Sequence, residues 1–134
     1  MRNWLMGIAA LATAAPLAAQ APRVPVVIPV SPEGYDGCST AYIYGLTGGR
    51  DRGFLAVRAG PSSRERELGR LRNGDQVYAC VRDGDWFGIV YEGAGRTGCN
   101  VRQPWPATSA YTGPCRSGWV YHRWIGGYSD WVSP

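Results

Sequence analysis

Apolar and polar residues alternate with a period of two in several short runs of the chain. In "GDQVYACVR", Val77, Ala79 and Val81 fall on one face and Tyr78, Cys80 and Arg82 on the other, the pattern of a half-buried strand. Asp83-Gly84-Asp85 reads as a hairpin turn. "WFGIVY" alternates in the same way, with Phe87, Ile89 and Tyr91 directed to a core and Trp86, Gly88 and Val90 to the opposite face. "AYIYGL", "FLAVR" with Leu55 and Val57 on one face, and "SGWVYHRWI" add further strands. "TGGRDRG" reads as a loop, "AGPSS" as a turn, and "RERELGRL" as a short connection that sends Leu68 and Leu71 inward. A tight turn at Asn73-Gly74 precedes the Val77 strand. No segment sustains a helical period. With 19 glycines, 10 prolines and turn signals every 8–12 residues or so, the pattern is that of an all-β barrel or sandwich.

The N-terminus changes the picture of where this domain works. "MRNWLMGIAALATAAPLAAQAP" opens with Arg2, continues as a Leu/Ala run and ends in small residues. That is the layout of a secretory signal peptide, residues 1–19, with Leu17 and Ala19 at the recognition positions. The mature chain has no second long apolar run, so no membrane span is expected after cleavage. Residues 20–37 hold Pro22, Pro25, Pro29 and Pro32 and read as an extended, Pro-rich linker ahead of a globular part spanning 38–134. An exported protein, periplasmic or extracellular, is compatible with disulfides. The four cysteines, Cys38, Cys80, Cys99 and Cys115, read as two of them. A metal reading is weak: no C-x₂-C pair exists, and His122 is the only histidine.

All 14 basic residues are arginine, set against 10 acids that are interspersed among them in "RERELGR" and "VRDGD". Such mixing reads as a solvated surface rather than a nucleic-acid face. Chemistry is hard to find. The cysteines are accounted for as disulfides, so a thiolate paired with His122 is not available. A Ser117–His122–Asp130 set lacks a nucleophile elbow, and Asp83 and Asp85 read as turn formers rather than acid/base partners. The reading is non-catalytic, with no cofactor and no metal.

One set of motifs has a specific order. Leu55 to Ser62, Leu71 to Val77, Gly84 to Ile89 and Gly118-Trp119-Val120 together resemble the bacterial SH3-like domain, SH3b, over about half the chain. The resemblance implies a small half-open barrel, and a binding or targeting role at cell-wall peptides. Within that pattern residues 92–117 form an insertion carrying Cys99 and Cys115, and Trp119 supplies apolar area to a small barrel. Fifteen residues separate Cys99 from Cys115; closing that loop is worth about 3 kcal/mol and would order a Gly/Pro-rich stretch. Cys80 points away from the Val77 face, so its partner must cross the outside, and Cys38 at the end of the linker can do so. The expected pairs are Cys38–Cys80 and Cys99–Cys115.

The expectation is therefore an all-β, SH3-like half-open barrel with a disulfide-closed insertion and no substantial helix after the signal peptide. Small barrels need aromatic caps, and many of Tyr42, Tyr44, Trp86, Trp119, Tyr121, Trp124, Tyr128 and Trp131 serve that end. The outward ones, Tyr44, Trp86, Tyr121 and Trp124, are the candidate groove. Its expected ligand is a peptide, peptidoglycan or an envelope-protein segment, with no nucleic acid. The alternative is a structural or interaction protein of the envelope without a discrete groove. N-terminal sequencing of the exported protein should return Gln20 as the first residue; an intact Met1 would refute the signal reading.

Overall fold

The computed structural model describes residues 7, 21–48, 52–93 and 98–128. The expected signal peptide (apart from Gly7) and its expected cleavage site, together with Asp130 and Trp131, lie outside them. Among the described residues nine strands form: β1 (Val27–Ile28), β2 (Ser39–Ile43), β3 (Leu55–Arg58), β4 (Glu67–Leu71), β5 (Gln76–Asp83), β6 (Trp86–Tyr91), β7 (Ser109–Ala110), β8 (Arg116–Tyr121) and β9 (Ile125–Gly126). The only helical element among them with an assigned span is a 3-10 turn at His122–Trp124. Seven strands make one antiparallel sheet in the order β4-β3-β8-β6-β5-β2-β9, and β1 pairs with β7 in a second, two-stranded sheet. The fold is all-β and small-barrel-like.

Alternation builds the inside of the barrel. Ala41 and Ile43 of β2, Leu55 and Val57 of β3, Val77 and Ala79 of β5, Phe87, Ile89 and Tyr91 of β6, and Val120 of β8 join one buried cluster. Leu71 joins from β4, which is a true strand paired with β3 rather than a connection; Leu68 is half-buried. The turns follow local chemistry. Gly84 takes φ 58° in the two-residue β5–β6 loop, the left-handed region open to glycine. The Asn73 amide bonds both backbone groups of Leu46, at 3.0 and 2.9 Å, as a strand neighbour would.

The second face of the sheet is also buried, which the linker expectation did not foresee. Residues 21–37 contain the short strand β1 and a turn at Pro32–Tyr35, and their middle is packed rather than free. Val26 is 1% exposed and Ile28 0%. This arm lies over the outer face of β5, β6 and β8 in a cluster with Cys38, Tyr78, Cys80, Val90, Cys99, Val101 and Trp119. Trp119 belongs to this outer cluster and not to the barrel interior, and its indole N–H donates to the Val24 carbonyl at 2.8 Å. Val90, expected on an open face, is fully buried beneath the same cover. The arm can approach closely because Gly88 has no side chain: a Cβ there would meet Val81 Cγ1 at 2.7 Å and Val26 Cγ1 at 3.1 Å.

A bulge corrects one further expectation. The β5–β6 register shifts between Ala79 and Val81, so Cys80 is the extra residue and the alternation breaks there. Val81 therefore turns to the outer cluster, away from the Val77 and Ala79 face, and Arg82 swings its guanidinium over the Phe87 ring at 5.2 Å. The disulfides join Cys38 to Cys80 at this bulge and Cys99 to Cys115 across the insertion. Burying a Val or Ile side chain is worth about 1.5–3 kcal/mol, so the arm is structural. Ile28→Ala is expected to cost about 2–4 kcal/mol, read by denaturant unfolding; a cost near zero would make the arm a mere linker.

Candidate functional site

The four aromatic residues expected to share one groove separate into two pairs. Trp86 and Tyr121 are cross-strand partners on β6 and β8. Their rings meet edge to face, with centroids 5.7 Å apart and planes at 68°, a favoured aromatic geometry. Tyr121 remains 37% exposed, while Trp86 is half-buried against the rim of the outer cluster. Tyr121 also leans on the His122 ring at 4.8 Å. The start of the 3-10 turn docks on the β5–β6 loop, where the His122 N–H donates to the Asp85 carbonyl at 2.9 Å. That contact leaves His122 Nε2 4.0 Å from the exposed Asp85 carboxylate. The result is a surface of indole, phenol, imidazole and carboxylate in sequence.

Tyr44 and Trp124 form the other pair. The Tyr44 N–H donates to the Trp124 carbonyl at 3.0 Å. Tyr44 is exposed and lies where a Gly126 Cβ would sit 2.8 Å from its ring. Trp124 is partly buried against the barrel core beside Gly45, and Arg123 covers its ring at 4.8 Å. These rings close the β2–β9 edge of the barrel.

Two clefts lie elsewhere. The larger, about 520 Å³, runs between the arm and the insertion and is lined by Pro22, Pro25, Val26, Tyr111 and Pro114 among others. The smaller, about 230 Å³, sits between Tyr78 and residues 98–103. None of Tyr44, Trp86, Tyr121 and Trp124 lines either cleft. Ser117 sits opposite Val90, toward the far end of β8 from His122, roughly 13 Å or more along the strand, so the two share no site. All four cysteines are in disulfides, and no three metal-ligating side chains gather among the described residues. No helix among those residues is long and apolar enough to cross a membrane.

Burial and pairing set the shifted acidities. Tyr91 is pushed above the usual phenol range by burial, against the pull of Arg116. Tyr111 is raised for the same reason. Its hydroxyl donates to the Cys99 carbonyl at 2.8 Å and accepts from the Cys115 N–H at 3.1 Å, tying the disulfide loop from within. At the arm's other end Arg23 forks onto Glu65 in the β3–β4 loop. The side-chain hydrogen bond from Arg23 holds the Glu65 carboxyl below its ordinary range. The arm's role was missed in the sequence because its prolines dominate; Val24, Val26, Ile28 and Val30 do alternate. Phe54 under Arg70 and Arg72 left no signal at all.

Compared with known proteins, the chain matches no family model, no curated protein and no solved structure.

Because the folded-state acidity of Glu65 is depressed, its contribution to stability is complete above the unfolded carboxylate range and is lost as pH falls through the folded value. Acidification through that range should loosen the arm, read as faster hydrogen exchange at Val24 N–H. Glu65→Gln should be loose at neutral pH and show no such transition. An identical acid profile in the variant would exclude the Arg23–Glu65 latch.

Proposed function

We propose that this chain is an exported, non-catalytic binding module of the bacterial SH3-like type. Its site is the Trp86–Tyr121 surface, and its ligand is a peptide, cell-wall or envelope-protein segment. The observation that carries the reading is the edge-to-face pair of half-buried Trp86 and exposed Tyr121, bordered by Asp85 and His122. It stands at the rim of the outer cluster that the arm and the insertion cover. Aromatic faces beside polar groups suit extended segments that present both C–H surface and hydrogen-bonding groups. Two disulfides within a small domain support a working place outside the reducing cytoplasm. The order of the Gly60-Pro61, Asn73-Gly74 and Gly118-Trp119-Val120 motifs supports the SH3-like assignment, and an antiparallel, all-β sheet is compatible with it.

The second reading, an envelope interaction protein without a discrete groove, is favoured by one fact: the exposed rings line neither cleft. Co-sedimentation of the exported protein with purified cell wall separates the two. Under the binding reading, Tyr121→Ala should weaken retention about tenfold, and Trp86→Ala by at least as much. Tyr121 is the more exposed of the two and should leave the unfolding midpoint nearly unchanged. Retention that is absent, or is insensitive to both substitutions, points to the second reading. Unfolding of Trp86→Ala alone makes Trp86 a packing residue and leaves Tyr121 to decide.

A further inference from the structure

Charge is segregated between the two hairpins of the sheet. Residues 52–72 carry six arginines, Arg52, Arg58, Arg64, Arg66, Arg70 and Arg72, against Glu65 and Glu67, a net of +4. Residues 73–93 carry Arg82 against four acids, a net of −3. In the sheet β8 and β6 stand between β3 and β5, so the basic and acidic hairpins occupy separate parts of the surface.

The two acids of the basic hairpin are already engaged. Glu65 receives Arg23, and Glu67 receives Arg70 at 2.5 Å. At the root of the hairpin Phe54 is 39% exposed. Leu55 and Val57 point into the barrel, so Phe54 points out. The Arg70 and Arg72 guanidiniums lie over its ring at 3.8 and 5.6 Å. Arg52 is exposed beside it, and Arg64 is exposed at the hairpin tip.

We propose that the β3–β4 hairpin docks on an anionic lipid bilayer, with arginines at the headgroups and Phe54 in the interfacial layer. The shape of the patch selects this partner. Its cations are spread over the hairpin's length: Arg52 ahead of β3, Arg58 at the end of β3, Arg64 and Arg66 in the loop, Arg70 in β4 and Arg72 just past it, with β4 alone spanning roughly 16 Å. No described residue of the hairpin lines either of the two clefts above. A row of anionic headgroups matches both the spread of charge and the exposed aromatic ring. The net −3 hairpin would be repelled by the same surface, which fixes the orientation.

Each arginine near an anionic leaflet contributes about 1 kcal/mol, or about fivefold in affinity. The exported protein should sediment with phosphatidylcholine vesicles containing phosphatidylglycerol and not with phosphatidylcholine alone, and added salt should release it. Arg52→Gln and Arg64→Gln should each lower partitioning about fivefold, and Phe54→Ser should lower it further. All three should leave the thermal midpoint within a few degrees of the parent. Paired reversal to R52E/R64E should abolish sedimentation. Equal binding to both vesicle types, no binding to either, or partitioning unchanged in R52E/R64E overturns the proposal. So does binding to soluble dextran sulfate without vesicle binding, which would assign the patch to a polyanion. Cell-wall retention and its dependence on Tyr121 are read separately, so either proposal can fail alone.

Discussion

The hydrogen bond from the Trp119 indole to the Val24 carbonyl, with the apolar packing around it, is the contact on which the rest of the structure depends. A sheet this small has two faces and only one barrel interior. Without the arm, Trp119, Val90 and Tyr78 would lie open on the outer side, a large apolar patch on a small domain. With the arm in place the middle of β5, β6 and β8 is buried on both faces. The arm is held at intervals along its length: Arg23 to Glu65, Val24 to Ala59, Val26 to Tyr111, Ser31 to Trp105, and Gly37 to Gln103. No single one of these bonds needs to be strong, because the four after Arg23–Glu65 also satisfy backbone groups that burial would otherwise strand.

The disulfides take their meaning from that arrangement. Cys38–Cys80 joins the end of the arm to β5, and Cys99–Cys115 closes the insertion whose β7 strand pairs with the arm's β1. Arm and insertion thus form a second layer that is stapled to the barrel at one point and to itself at another. Half-buried Tyr111 completes it by bonding both ends of the disulfide loop. Because this layer stops short of Trp86 and Tyr121, those two rings are left at its rim, and the candidate site is the boundary of the cover. The larger cleft, between Pro25 and Pro114, is the seam within the cover.

Period-two alternation by itself determined much of this protein. The barrel-facing Leu55 and Val57 of β3, Val77 and Ala79 of β5 and Phe87, Ile89 and Tyr91 of β6, the Asn73-Gly74 and Gly84-Asp85 turns and the all-β class follow from local steric rules and the pleat. The outward direction of Trp86 and Cys80 belongs with them. Only the tertiary structure decided what covers the outer face. Val24, Val26, Ile28 and Val30 carry the same alternation as the barrel strands, but a strand with prolines on its other side can be a solvated linker or a buried edge, and burial is settled by the distant surface it meets. The bulge at Cys80 is equally non-local, since two residues facing one is a property of the pair of strands. Whether Tyr44 and Trp124 stood with Trp86 and Tyr121 was likewise a question of which strands became neighbours. The sheet order answered it by putting β2 and β9 at one edge and β6 beside β8 in the middle, because side-chain contact across a sheet depends on strand pairing and not on spacing along the chain.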